Sequence, residues 1–184
     1  MSNENFIRYY DDVISEKFCD ELVETFENHP ELQEEMAENG HYSFTEIKLL
    51  SAPEVFNSQS DRLRKTFFSY IDRYKEDCNI KPEMFPSKMG YEDFRMKRYL
   101  PEKQDSFPSH VDVGDYFSAR RFLVFFLYLT EPEGGETSFE QFGITVKPKK
   151  GRLLMFPPMW THLHAGHIPV DKPKYIVGSY LHYV

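Results

Sequence analysis

The sequence predicts a mainly β protein, a sandwich or jelly roll carried on N-terminal supporting α-helices, and three observations predict it. Apolar residues spaced for helices occupy the first third of the chain and give way to strand-like alternation from Tyr91. From there the chain breaks into short apolar runs separated by turn signals at Glu133-Gly134-Gly135, Phe142-Gly143, Lys150-Gly151 and Pro157-Pro158. Aromatic residues make up 16% of the chain, with 17 Phe and 12 Tyr, which suits a β core with aromatic-lined interior space.

Ser15 is placed to cap a first helix, whose apolar face carries Phe18, Leu22, Val23 and Phe26, and His29-Pro30 ends it. The polar stretch 31–40 reads as a short, poorly buried helix. Leu63, Phe67, Ile71, Tyr74 and Cys78 mark a second amphipathic helix over about 58–77, stopped by Asn79. Both helices are expected to buttress a sheet. Phe94 and Met96 then alternate with Arg95 and Lys97 in a strand that runs to Tyr99, and 122–129 is a continuous apolar run, as in a strand covered on both faces. Further strands fit Thr137–Phe139, Ile144–Val146, 152–156 and 175–183. The 184 residues are expected to form one domain, 1–184, with helical support over about 1–80 and the β core over about 91–184.

Thirty acidic against 22 basic residues give a formal charge of −8, which argues against a nucleic-acid backbone as the main partner. A local basic groove around Arg95, Lys97, Arg98, Arg120 and Arg121 stays open on sequence alone. The only two cysteines, Cys19 and Cys78, sit on helical patterns and read as buried, reduced thiols, which favours a reducing compartment. No window approaches the roughly 20 apolar residues of a spanning helix, and the opening residues lack a basic leader. The expectation is a soluble, cytoplasmic protein with no membrane partner.

The chemistry is concentrated in few residues. His110 and Asp112 stand two positions apart and are answered some fifty positions later by His164 and, ten residues on, by Lys174. Two histidines and a carboxylate that leave half of a metal's coordination sphere open are the facial triad of non-haem Fe(II) oxygenases. Neutral imidazoles hold a ferrous ion while the carboxylate lowers the net charge of the site. The open positions then accept a 2-oxo acid, through its keto oxygen and C1 carboxylate, and dioxygen. An i, i+2 pair shares one face at a strand end, and a downstream lysine points to an anionic co-substrate. Three histidines crowd the segment from Trp160 to His167, so a cupin-like ligand set of His110, His162 and His164 stands as the rival arrangement.

Arg98-Tyr99 before a loop, His110-Val111-Asp112, the strand ending Leu127-Tyr128-Leu129, Gly134-Gly135-Glu136-Thr137-Ser138-Phe139, Pro148-Lys149-Lys150-Gly151-Arg152 leading to Phe156, and His164-Ala165-Gly166 followed by Lys174-Tyr175 occur in an informative order. In that order they resemble the prolyl 4-hydroxylase branch of the 2-oxoglutarate/Fe(II)-dependent dioxygenases, in its compact single-domain bacterial and phage form. The resemblance covers about 91–184. It implies a double-stranded β-helix, a jelly roll with iron at one mouth. His110, Asp112 and His164 match the iron ligands, and Lys174 matches the basic residue that pairs with the C5 carboxylate of 2-oxoglutarate. Tyr128 matches a phenol that hydrogen-bonds the same carboxylate, and Tyr99 a tyrosine lining the co-substrate pocket. By the same pattern the steps from Phe156 and to Lys174 select His164 as distal ligand, leaving His162 beside the site or at its entrance and His167 exposed.

The reading is therefore a dioxygenase using Fe(II), 2-oxoglutarate and dioxygen, with ascorbate as a candidate reductant. It would hydroxylate an unactivated C–H bond, foremost a prolyl residue of a peptide or protein, with release of succinate and carbon dioxide. A carboxylate at Asp112, where halogenases of the superfamily have a small residue, favours hydroxylation over halogenation. The rival within the enzyme class is the same chemistry on a free amino acid, another small molecule or a nucleobase. The rival outside it is a non-catalytic metal-binding jelly roll. The loops 82–90 and 101–109 are candidates to order over a substrate.

Overall fold

The computed structural model describes residues 5–38 and 42–184. Residues 1–4, on which the reading of the N-terminus partly rests, and Asn39 and Gly40, the end of the stretch 31–40, lie outside the described residues. In chain order the elements are β1 (Arg8–Tyr10), α1 (Glu16–Glu27), β2 (Glu34–Glu38), β3 (Tyr42–Lys48), α2 (Pro53–Asp77), β4 (Met89–Tyr91), β5 (Arg95–Tyr99), β6 (Phe107–His110) and β7 (Arg121–Tyr128). They continue with β8 (Thr137–Phe139), β9 (Ile144–Val146), β10 (Leu153–Phe156), β11 (His164–Gly166) and β12 (Lys174–Tyr183).

Among the described residues the strands form two antiparallel sheets. The larger has eight strands in the order β1-β10-β7-β12-β5-β3-β2 with β4 added beside β12, and the smaller has four, β6-β11-β8-β9. The apolar run of β7 shows how the layers are assembled. Leu123, Phe125 and Leu127 belong to a core shared with the helices, where Phe18, Leu22 and Phe26 of α1 and Leu63, Phe67 and Ile71 of α2 also lie. Phe67 stacks on Phe125 with ring centroids 5.0 Å apart. Val124 and Tyr128 face the other way, into a core between the two sheets that includes Phe139 and Val146 of the smaller sheet. Strand periodicity thus divides one apolar segment between two cores, and both faces of the large sheet are covered at β7.

The first helix starts where its cap requires: Ser15 lies in an extended conformation and its hydroxyl accepts from the Phe18 N–H. The second begins five residues before the expected Ser58, because Pro53 occupies its first turn, where a missing N–H costs nothing. Two corrections concern the N-terminal region. The described part of the stretch, 31–38, is not an α-helix: it holds most of one 3-10 turn, Pro30–Leu32, and then β2, an exposed edge strand paired with β3. The segment read as helical support also contributes β1, β2 and β3 to the large sheet. Cys19 and Cys78 are buried and unpaired. Among the described residues no helix is long and apolar enough to cross a membrane.

Of the residues considered for a basic groove, Lys97, Arg98, Arg120 and Arg121 are dispersed among separate partners. Arg121 forms a two-pronged pair with Glu92, which Arg120 also approaches; Arg98 pairs with Glu27; and Lys97 turns into the space between the sheets.

Candidate metal centre and co-substrate pocket

His110 closes β6 and His164 opens β11, and the pairing of these strands sets the two histidines directly opposite each other. Their ring centroids are 4.3 Å apart. Asp112 follows in the loop after β6, whose path is held by the Asp112 and Val113 N–H groups, both donating to the Pro158 carbonyl, at 3.0 and 3.2 Å. The carboxylate then reaches both rings: Oδ1 lies 3.6 Å from His110 Nε2 and Oδ2 3.6 Å from His164 Nε2. Among the described residues these three form the one cluster of histidine, cysteine and carboxylate groups suited to a metal ion, with candidate ligand atoms within 4.8 Å of one another.

The backbone selects which ring nitrogens are offered. His110 Nδ1 donates to the Pro108 carbonyl at 2.8 Å, and His164 Nδ1 donates to the His162 carbonyl at 3.0 Å. Each bond runs to the residue two positions back and leaves Nε2 with its lone pair directed at the cluster, the outer-shell arrangement that orients metal-binding imidazoles. His164 Nε2 and Asp112 Oδ2 are buried without a hydrogen-bond partner. A buried nitrogen and a buried carboxylate oxygen left in that condition are costly unless a cation meets them, so the residues present fit a divalent metal. Burial pushes the His164 imidazole down to about 4, so it is neutral at physiological pH. Its approach to Asp112 is therefore one of two prospective ligands and not an ion pair. Burial alone would raise the Asp112 carboxyl, but His110 and the Tyr180 hydroxyl hold it below the usual carboxylate range.

One cavity joins this cluster to Lys174, with Tyr99, Phe107, Phe126, Thr137 and Lys97 in its wall. Lys174 is 2% exposed; its ammonium donates to the Gly135 carbonyl at 3.0 Å and stands 4.5 Å from the centre of the Tyr99 ring, its register partner on β5. Gly135 makes the approach feasible: it has φ +68°, and a Cβ there would lie 3.0 Å from Lys174 Cδ. Burial pushes the Lys174 ammonium down to about 7, with Glu136 opposing and Lys97 adding to the shift. Tyr128 is behind the wall. Its hydroxyl is 2.7 Å from Thr137 Oγ1, and Thr137 lines the cavity.

His162 lies outside the cluster. Its Nε2 donates to the Asn5 carbonyl at 2.7 Å and its Nδ1 is 2.8 Å from Thr161 Oγ1, so both ring nitrogens are engaged away from Asp112. His167 reaches Ser138 Oγ on the surface.

Residues 94–182 match the profile of the 2OG-Fe(II) oxygenase superfamily. Over that segment, just under half of the chain, the protein is similar to that superfamily. The match and the clustered His110, Asp112 and His164 support a 2-oxoglutarate-dependent dioxygenase that takes Fe(II) and 2-oxoglutarate. Solved structures share the fold over nearly the whole chain. The viral collagen prolyl hydroxylase of Paramecium bursaria Chlorella virus-1, in its 2OG complex, matches with a TM-score of 0.69 at 23% identity, over 97% of this chain and 96% of that one. A Trichoplax adhaerens prolyl hydroxylase, in complex with a hypoxia inducible factor oxygen degradation domain peptide, matches at 0.74 and 15% identity, over 98% and 84%. A Pseudomonas putida prolyl-4-hydroxylase matches at 0.69 and 15%, over 98% and 94%. Among curated proteins, the multifunctional procollagen lysine hydroxylase and glycosyltransferase of Caenorhabditis elegans is 24% identical over 177 residues, 92% of this chain; the match spans only 23% of that protein's length.

Two residues of the site escaped sequence reasoning, one bonded to Asp112 and one lining the cavity. Tyr180 donates its hydroxyl to Asp112 Oδ1 at 2.8 Å. Lys97 has its ammonium 4.3 Å above the Phe44 ring and sits opposite Glu46, which is 1% exposed. The signal was strand parity: Tyr180 shares a face of β12 with Lys174, and Lys97 shares a face of β5 with Tyr99.

Proposed function

We propose that His110, Asp112 and His164 bind the Fe(II), that Lys174 takes the C5 carboxylate of 2-oxoglutarate, and that the enzyme hydroxylates a prolyl residue of a peptide or protein. The observation that carries the assignment is the pairing of unpartnered, buried His164 Nε2 and Asp112 Oδ2 with a buried ammonium in the same cavity. Iron held there, with 2-oxoglutarate and dioxygen, would supply the oxidising power for C–H hydroxylation, the 2-oxoglutarate being converted to succinate and carbon dioxide. The chain's own residues contribute positioning. Lys174 meets one end of the co-substrate, Thr137 and the Tyr128 hydroxyl behind it form a polar pair in reach of the same end, and the Tyr99 ring packs against the ammonium. Phe107, stacked on His110 at 3.7 Å, and Phe126, Phe139 and Phe156 around His164 keep water from the ligand nitrogens.

A peptidyl substrate is supported by the fold shared with prolyl hydroxylases, one of them solved with a peptide. The likeness to a procollagen lysine hydroxylase favours a lysyl side chain as the second reading. Both are tested by incubating the Fe(II)-loaded enzyme with peptide libraries and 2-oxoglutarate, and locating a gain of one oxygen by tandem mass spectrometry. Oxygen on proline supports the first reading and oxygen on lysine the second. Succinate formation stimulated only by free amino acids or nucleobases contradicts both.

A further inference from the structure

We propose that Tyr180 is a positioning residue that commits Asp112 to single-oxygen coordination: its hydroxyl occupies Oδ1, so that Oδ2 alone is offered to the metal. The inference rests on the reading of Asp112 as an iron ligand.

The arrangement is a closed ring of four residues. Tyr180 lies on the face of β12 that looks into the cavity, and its hydroxyl donates to Asp112 Oδ1 at 2.8 Å. Asp112 Oδ2 is buried and has no hydrogen-bond partner, so the two carboxylate oxygens are chemically distinct before any metal arrives. The Tyr180 ring is itself clamped, with the Arg121 guanidinium 4.1 Å from its centre. Arg121 is held by Glu92, Nε to Oε1 and Nη2 to Oε2, both at 2.8 Å, and its remaining nitrogen, Nη1, donates to the Asp112 main-chain carbonyl at 3.0 Å. Glu92 closes the ring, its N–H donating to the Tyr180 carbonyl at 3.0 Å. One residue therefore grips the Asp112 backbone and another its side chain, and both are tied to the same glutamate.

The charges are disposed to suit a ligand. The Glu92 carboxylate cancels the Arg121 guanidinium, and Arg121 touches Asp112 only through its carbonyl. The carboxylate thus meets a neutral phenol and keeps its charge for the metal. Its geometry matters for the reaction, because a carboxylate that chelated through both oxygens would consume one of the three positions needed by the 2-oxo acid and dioxygen. Rotation of Asp112 toward such chelation is what the Tyr180 hydroxyl opposes.

The test compares wild type, Tyr180→Phe and Asp112→Ala, using Fe(II) under anaerobic conditions and Co(II) as a redox-stable probe. Outer-shell partners of metal ligands typically contribute about 10- to 100-fold in metal affinity. Tyr180→Phe is expected to weaken Fe(II) binding by that factor and to change the intensity of the Co(II) visible bands at saturation, as coordination number changes, with the thermal midpoint of the metal-free protein near wild type. A purely packing role for Tyr180 would leave the Co(II) spectrum as in wild type. Glu92→Gln, which loosens Arg121 without touching Asp112, is expected to produce a smaller loss in the same direction, and it carries the test should Tyr180→Phe fail to fold. Wild-type metal affinity and an unchanged Co(II) spectrum in Tyr180→Phe, alongside lost binding in Asp112→Ala, overturn this inference and leave the ligand assignment standing. Retained binding in Asp112→Ala overturns the ligand assignment and this inference with it.

Discussion

Replacing Lys174 by alanine separates a 2-oxoglutarate enzyme of this design from any other metal-binding jelly roll. The structure bounds the effect from both sides. Burial lowers the ammonium from 10.5 to about 7; at about 1.4 kcal/mol per tenfold change in the proton equilibrium, that corresponds to about 5 kcal/mol for holding the charge away from water. A carboxylate arriving beside it can offset at most a cost of that order. The floor is a single charge-assisted hydrogen bond, about 2 kcal/mol. Lys174→Ala should therefore weaken 2-oxoglutarate binding by roughly 30-fold to several thousand-fold. Fe(II) affinity should stay near wild type, because neither histidine nor Asp112 hydrogen-bonds Lys174. Lys174→Arg should recover part of the loss, since a planar guanidinium is longer than the space beside Gly135 allows. Calorimetric titration of 2-oxoglutarate into the three anaerobic Fe(II) proteins gives the answer. Unchanged 2-oxoglutarate affinity in Lys174→Ala would refute the co-substrate assignment.

Three more outcomes can be measured. The protonated Lys174 is the form that pairs with a carboxylate, and in the free pocket it loses its proton above about 7; bound 2-oxoglutarate favours the charged form, so binding takes up a proton. Affinity should then fall as pH rises, by about tenfold per pH unit above about 7 until the raised pKa of the complex is reached, and a flat profile up to about pH 9 contradicts the buried-ammonium argument. Lys97→Met should lower the unfolding free energy measured by denaturant titration by about 3 kcal/mol or more, because Glu46 stays buried opposite it without a cation; Lys97→Met with Glu46→Gln should recover most of that, and a double variant no more stable than the single one rules the coupling out. His162→Ala should keep Fe(II) while losing stability, as its ring ties 162 to the Asn5 carbonyl; loss of Fe(II) with an unchanged thermal midpoint would return His162 to the ligand set.

Where burial imposes a period, the sequence was legible. β7 and β10 show as apolar runs because both their faces are covered, and α1 and α2 show through the stripe each turns to the large sheet. β2 is invisible in the same terms: an edge strand with exposed residues on both faces has no pattern to display. β3 misleads for the opposite reason, since it buries Thr45 and Glu46, polar residues that normally signal a surface. β6 and β11 are only four and three residues long, and only their mutual register reveals them. At the site, residues with a distinctive local spacing, His110 with Asp112 and His164 with Lys174, could be picked out directly. Strand parity puts Tyr180 and Lys97 on the faces of Lys174 and Tyr99, but their partners, Asp112 in the loop after β6 and Glu46 across the sheet, are distant in the chain, and linear spacing does not name either pairing.

The central claim is that His110, Asp112 and His164 together hold the iron to which 2-oxoglutarate binds. It is tested most directly by anaerobic titration of Fe(II) and then 2-oxoglutarate into wild type, His110→Ala, Asp112→Ala and His164→Ala, followed through the weak visible charge-transfer band of an Fe(II)–2-oxo acid chelate. The account predicts one iron per chain and a band that saturates with 2-oxoglutarate in wild type, and neither in any of the three variants, each of which keeps its far-ultraviolet circular dichroism. A folded variant that still binds one iron and develops the wild-type band would remove that residue from the centre and contradict the account.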